Sequence, residues 1–348
     1  MPWPVLRAAL DVLLASDVAE PELSFYGGEP LLERPLIRRA MAYLDERAPP
    51  GVSPRFTLVT NGTLLDARTV RLLALRRVRT FVSFDGVEAA QRLRGGGTFA
   101  VLDALLRRLR RDYPGWLADD VTIAMTLSSA NVDLLAASVR HLIERGVSAI
   151  EMSPLVTHDP GWSGACRERL DAQLGEAYAA CREHFGRTGE MPFLPFRRTS
   201  RTRDRRRRGV PMCRIADGHA VFVDVDGEAV ACGLLARSWA APTTELGRRA
   251  AEAAHLGPVT DPDLSRRLAA CRSALAELCL FDRKERKSSP YAECETCSAL
   301  HECRVCPLAI ANQPDNDDPD AIPPLPCAFY SLAAKYRWRF PVLRSPSP

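Results

Sequence analysis

The chain has 348 residues, 46% hydrophobic and 26% charged, enough for one large α/β domain and a smaller companion. A formal net charge of +4 is too small to mark a nucleic-acid or membrane-surface binder, and no run reaches the roughly 18 apolar residues of a membrane span. Its 11 cysteines begin only at Cys166 and crowd between Cys294 and Cys306, which excludes a disulfide scaffold and points to metal in a reducing, cytoplasmic setting.

Val5, Leu6, Ala9, Leu10, Leu13 and Leu14 recur at helical spacing and predict a helix over 4–16. Arg7 and Asp11 interrupt its apolar pattern and no basic stretch precedes it, so it reads as an amphipathic helix and not as a signal peptide. A strand over 22–26 ends at Gly27-Gly28, followed by Glu29 and Pro30. Glycines there permit positive φ and close approach to bare backbone, and Glu29 places a carboxylate at the strand's mouth. Helix 33–47 leads to strand 56–60, which ends in Asn61-Gly62, and helix 66–77 leads to strand 78–84, which ends in Asp85-Gly86. Helix 99–111, strand 121–127, helix 134–145 and a strand-like run over 148–155 follow. Such alternation predicts a parallel α/β sheet. Gly27–Glu29, Asn61, Ser83 and Asp85 all fall at strand C-termini, which share one face of an α/β barrel, so they are expected to line one pocket. Each motif taken singly reads as a turn or a helix cap; three in succession read as a site.

After a helix over 166–187 comes a basic run at 197–208, read as a solvated linker, with a patch for an acidic peptide or nucleic acid as the alternative. It lacks the aromatic residues that single-strand nucleic-acid binders stack on. Residues 220–225 and 229–231 flank Asp226-Gly227 as a hairpin, helices are expected over 245–255 and 262–280, and a cysteine-rich, strand-poor tail has Pro-rich ends at 322–326 and 341–348. The expected divisions are a barrel over 1–190, a linker over 191–212, a cysteine-rich domain over 213–330 and a tail over 331–348.

Cys213 and Cys232 bracket the hairpin as C-x13-G-x4-C; Cys294-x2-Cys297, Cys303-x2-Cys306 and Cys327 follow. Closely spaced pairs present two thiolates to one metal, and both a zinc site and an iron–sulfur cluster take four. A zinc-ribbon reading accommodates the two short pairs and leaves Cys213, Cys232 and Cys327 unexplained. Cys166, Cys181, Cys271 and Cys279 lie at apolar-face spacing on helices and read as buried, inert thiols.

Together these residues resemble the radical S-adenosylmethionine (SAM) superfamily, specifically its peptide-modifying members with a C-terminal SPASM domain. FYGGEPLL, TNGTLLD, SFDG and Arg94 before GGGTF match in order, and the tail matches the SPASM cysteine pattern with Cys303-x2-Cys306 one residue short. The resemblance implies a partial (β/α)6-type barrel missing its first strand, followed by a small iron–sulfur domain. It implies that Gly27, Gly28 and Glu29 hold the methionyl amino group of SAM, and that Asn61, Ser83 and Asp85 line the pocket, with Ser83 at the ribose or carboxylate. It implies one or two auxiliary [4Fe–4S] clusters: Cys213, Cys232 and Cys306 with an unassigned fourth ligand, and Cys294, Cys297, Cys303 and Cys327.

The family's C-x3-C-x2-C, which holds the SAM-cleaving [4Fe–4S] cluster, is absent, and residues 1–16 match the helix that normally follows that loop. The expectation is therefore an N-terminally truncated form that does not itself perform radical chemistry. Gly233 follows Cys232 where sulfatase-maturing relatives carry an aspartate, which disfavours formylglycine formation. The resemblance implies a maturase acting on a peptide or small protein with a reductant for its clusters. The alternatives are a non-catalytic peptide-binding homologue and a zinc-tailed α/β protein of unrelated activity.

Overall fold

Five parallel strands carry the first half of the chain in this computed structural model, which describes residues 1–16, 18–197, 220–239, 242–278, 306–319 and 321–341. They are β1 (Glu22–Phe25), β2 (Arg55–Thr60), β3 (Arg79–Ser83), β4 (Val121–Leu127) and β5 (Ile150–Pro154). Helices α1 (Trp3–Leu14), α2 (Arg34–Arg47), α3 (Ala67–Leu75), α4 (Glu88–Arg94), α5 (Phe99–Asp112), α6 (Pro114–Asp119), α7 (Leu135–Glu144) and α8 (Gly164–Thr188) precede, separate and follow them. The short helices α4 and α6 are absent from the sequence expectation, being too brief to show a periodicity. Spatial order equals chain order, β1-β2-β3-β4-β5. Right-handed crossovers without a reversal of order stack the crossover helices on one face, as in a barrel. Along β4, Val121, Ile123, Met125 and Leu127 are buried while Thr122, Ala124 and Thr126 are half-buried, so the second face is small and polar.

Two expected boundaries move. Residues 191–197, placed in the linker by their basic surroundings, belong to the barrel: Met191, Phe193 and Phe196 are buried, Phe193 bridges Ile150 in parallel, and Arg197 donates to the Ser148 and Met191 carbonyls. Burial of the two phenylalanines outweighs the pull of the arginines towards water. The rest of the basic run lies outside the described residues.

The boundary at residue 330 falls inside helix α12 (Pro324–Arg337). Its prolines sit in the first turn, where a backbone N–H has no intrahelical acceptor, so the Pro-rich stretch starts a helix and does not end the chain's order. Leu325, Ala328, Phe329 and Leu332 join the barrel core, and Lys335 pairs with Asp171 of α8 at 2.7 Å.

The second unit contains an antiparallel sheet of β6 (Phe222–Val223), β7 (Glu228–Val230) and β8 (His255–Pro258), with α9 (Glu245–Ala254), α10 (Leu264–Glu277) and α11 (Pro307–Ala311). The Asp226-Gly227 hairpin forms as expected, with Gly227 at φ +94°. Helix α1 joins both units. Leu6 and Leu10 enter the barrel core, while Val5, Ala8 and Ala9 pack on the small core. Adjacent apolar pairs at 5–6 and 9–10 give this helix two apolar stripes, one buried in the barrel core and one half-buried against the small core. A Cβ on Gly227 would stand 3.1 Å from Val5 Cγ1, so hairpin and helix are in close contact.

Asp103 of α5 ties that helix to α7. Its carboxylate takes Arg145 Nε at 2.5 Å, His141 Nε2 at 3.0 Å and Arg107 Nη2 at 3.3 Å. Burial raises its pKa, but the Arg145 hydrogen bond and the surrounding cations outweigh burial and hold it below the usual carboxylate range. A depressed carboxylate stabilises the fold above its unfolded pKa and loses that contribution as pH falls through the folded value. Asp103→Asn is expected to cost about 3 kcal/mol at pH 7 and to flatten the acid limb of a melting-temperature profile below about pH 4. An unchanged acid limb would contradict this role.

Candidate functional site

The exits of β1, β2 and β3 meet through side chains that bind backbone. Gly27 takes φ +131°, and neither Gly27 nor Gly28 has an atom within 4 Å of where a Cβ would stand. Glu29 then turns its carboxylate back onto the protein. Oε1 accepts from Leu31 N at 3.0 Å and Thr60 Oγ1 at 2.8 Å, and Oε2 accepts from Asn61 N at 2.8 Å. The loop after β1 is thereby stapled to the end of β2.

Register carries the strip onward. Thr60 lies beside Val82, which sets Asn61 next to Ser83; Ser83 lies beside Ala124, and Ala124 beside Glu151. Asn61 is exposed, and its Oδ1 accepts from Thr63 N and Thr63 Oγ1 at 2.9 and 2.7 Å. Ser83 is half-buried, and its hydroxyl makes no hydrogen bond among the described residues.

Asp85, only 3% exposed, is occupied. Its oxygens accept Arg94 Nε and Nη2 at 2.8 and 2.9 Å and Thr126 N at 2.9 Å, and Arg94 Nη2 also donates to Thr126 Oγ1 at 2.7 Å. Asp85 therefore clamps the exit of β3 to β4 and has little left to offer a ligand. Beside it Gly86 must remain glycine: φ is +89° and a Cβ would fall 2.4 Å from that of Ser138.

The expected residues thus share the carboxyl ends of neighbouring strands, in two groups. Glu29 and Asp85 hold loops in place; Gly27, Gly28, Asn61 and Ser83 present open backbone, amide and hydroxyl. That set suits a small zwitterion needing acceptors for an ammonium and a donor for a carboxylate or sugar hydroxyl. Thr60, Arg94 and Thr126 complete the network and were not among the expected site residues. The signal for the two threonines is a hydroxyl residue at or near a strand's last position; Arg94 ends the short helix α4.

Tyr26, the residue before Gly27, was expected only as a strand former. Its ring stacks on Trp239 of the second unit, centroids 5.3 Å apart. Burial, then the charge of nearby Cys232, holds its phenol above the ordinary range.

Solved structures share this architecture. Native anSMEcpe with bound AdoMet and Kp18Cys peptide matches with a TM-score of 0.70 at 15% identity, over 97% of this chain and 89% of that one. Native anSMEcpe with bound AdoMet alone also gives 0.70, at 16% identity, over 97% and 88%. The fold is of the radical SAM type. No family model matches the chain, and comparison with curated proteins gives no match.

Of the seven cysteines expected to bind metal, three are described. Cys232 and Cys306 are half-buried on the same small core, and Cys327 is buried on α12. Cys213, Cys294, Cys297 and Cys303 lie outside the described residues. The described residues alone contain no group of three or more His, Cys, Asp or Glu able to hold a metal ion. Cys166, Cys181 and Cys271 are buried as expected; burial pushes the Cys181 thiol up to about 12 and Cys271 up to about 11. Cys279 lies outside the described residues. No described helix is long and apolar enough to cross a membrane.

Two outcomes follow from the geometry. Glu29→Ala deprives two backbone donors and one hydroxyl of their acceptor and is expected to cost about 2 kcal/mol, read as a lowered melting temperature, whereas Ser83→Ala should stay within about 0.5 kcal/mol. In native protein at pH 8, iodoacetamide is expected to leave Cys181 and Cys271 unmodified, with both labelled after unfolding; mass spectrometry reads the difference.

Proposed function

We propose that this chain is a radical SAM/SPASM-type maturase of a peptide or small protein, binding SAM at the exits of β1 to β3. The observation carrying this reading is the convergence of open Gly27–Gly28 backbone, Asn61 and Ser83, whose hydroxyl has no partner among the described residues, on a fold of the radical SAM type. The Gly27 and Gly28 carbonyls would take the methionyl ammonium and Ser83 the ribose or carboxylate, with Asn61 beside them. Glu29 and Asp85 keep the loops in register. SAM bound there would, together with a reduced [4Fe–4S] cluster, supply one-electron hydrogen-abstraction chemistry toward the peptide. No Cys-x3-Cys-x2-Cys segment occurs in these 348 residues, whose cysteines all lie at or beyond Cys166.

In the tail, Cys232 and Cys306 with Cys213 would hold one auxiliary cluster, and Cys294, Cys297, Cys303 and Cys327 another. Their shared border on the small core supports grouping Cys232 with Cys306. The neighbours named above are sulfatase-maturating enzymes, and that particular chemistry is not carried over. At Gly233, where such relatives carry a carboxylate, a Cβ would press to 2.9 Å from the Phe222 ring.

Protein purified without oxygen is expected to carry iron and sulfide, most of it lost in a Cys232→Ser, Cys327→Ser double variant; stoichiometric zinc without iron would overturn the SPASM assignment. Ser83→Ala should weaken SAM binding about tenfold by calorimetry while leaving the melting temperature in place, as for the loss of one hydrogen bond to a charged group. Release of 5′-deoxyadenosine with dithionite is expected only from a form that also carries a Cys-x3-Cys-x2-Cys segment. Release at equal rates with and without that segment would refute the account, and release from neither, with peptide present, would favour the non-catalytic binding protein.

A further inference from the structure

Two aromatic rings stand exposed at the seam between the barrel and the small unit. Tyr26 leaves β1 one residue ahead of Gly27, and Trp239 follows the turn that begins at Gly233. The rings stack with 10° between their planes, yet 44% of Tyr26 and 43% of Trp239 remain exposed. A pair serving only to glue two units together would bury both rings, because burial is what makes aromatic side chains favourable at an interface. The space at Gly27 and Gly28 is open, so a chain laid along the rim of the candidate site passes over the rings. Charge close by is mixed, since Arg237 stands two residues before Trp239 and lines the same cavity as Asp224. Glu29 lies on the Tyr26 side, and on the Trp239 side Asp224 accepts from Ser238 Oγ at 2.7 Å and Ser238 N at 3.2 Å.

We propose that Tyr26 and Trp239 form an aromatic platform on which the substrate peptide seats a planar side chain, selecting sequences with Phe, Tyr or Trp beside the modified position. This rests on the peptide reading given above and names the class of peptide. A third ring extends the offset stack already present, and its gain over an aliphatic side chain of similar size corresponds to about tenfold in affinity.

The test uses two pools of fluorescein-labelled dodecapeptides of equal net charge, one containing Phe, Tyr and Trp and the other with Leu in their place. Each is titrated by fluorescence polarisation against the full chain purified without oxygen. The aromatic pool should bind about tenfold more tightly than the leucine pool. Trp239→Leu should close that gap while leaving leucine-pool binding unchanged, and Tyr26→Leu should do the same from the other ring. Equal binding of the two pools by the unaltered chain would overturn the platform and leave the peptide reading intact. A gap that survives both substitutions would also overturn it. Failure of both pools to bind would remove the peptide reading together with the platform.

Discussion

Glu29 accepts from Leu31 N, Thr60 Oγ1 and Asn61 N, and this one carboxylate decides where the first two strands stop and how their loops face. Asp85 does the same between β3 and β4 through Arg94 and Thr126 N. Backbone donors at strand ends have no ladder partner, and an acceptor brought from a neighbouring loop satisfies them at the place where a ligand needs a firm rim. Both acidic groups that stand out in the motifs therefore shape the site, while among the described residues the groups left to meet a ligand are glycine backbone, the Asn61 amide and the Ser83 hydroxyl. A pocket built this way is rigid where its loops are tied and open where side chains are absent.

The second dependence is on the two ends of the described chain. Helix α1 presents Leu6 and Leu10 to the barrel and Val5, Ala8 and Ala9 to the small core. Helix α12, reached only after the cysteine-rich stretch, returns to the barrel and buries Phe329 and Leu332 there. The small unit is thus an excursion between α8 and α12, framed on both sides by barrel packing. Cys232 and Cys306 border the small core, while Cys327 lies on the helix that leads back, so the tail cysteines span the junction between the units. Tyr26 and Trp239 meet across the same junction.

Much of this was legible in the sequence. The strands and crossover helices of the barrel half fall within a few residues of their predicted limits, because apolar periodicity and the Gly-Gly, Asn-Gly and Asp-Gly stops are local signals. The Asp226-Gly227 hairpin and the burial of Cys166, Cys181 and Cys271 were readable for the same reason. Parallel pairing of consecutive strands then brings Gly27–Glu29, Asn61, Ser83 and Asp85 to one edge by topology alone.

What tertiary structure alone decided is which of those groups remain free. Whether Glu29 and Asp85 meet a ligand or a backbone amide depends on partners 31 to 41 residues away, Thr60, Asn61 and Thr126, and no local pattern encodes such a meeting. The fate of 191–197 and 324–337 was hidden likewise: arginines and prolines carry surface signals, and only the core waiting for Phe193, Phe196 and Phe329 overrides them. The stacking of Tyr26 on Trp239 joins residues from two separate units. Periodicity reports the face a side chain turns away from water, and packing determines what it finds there.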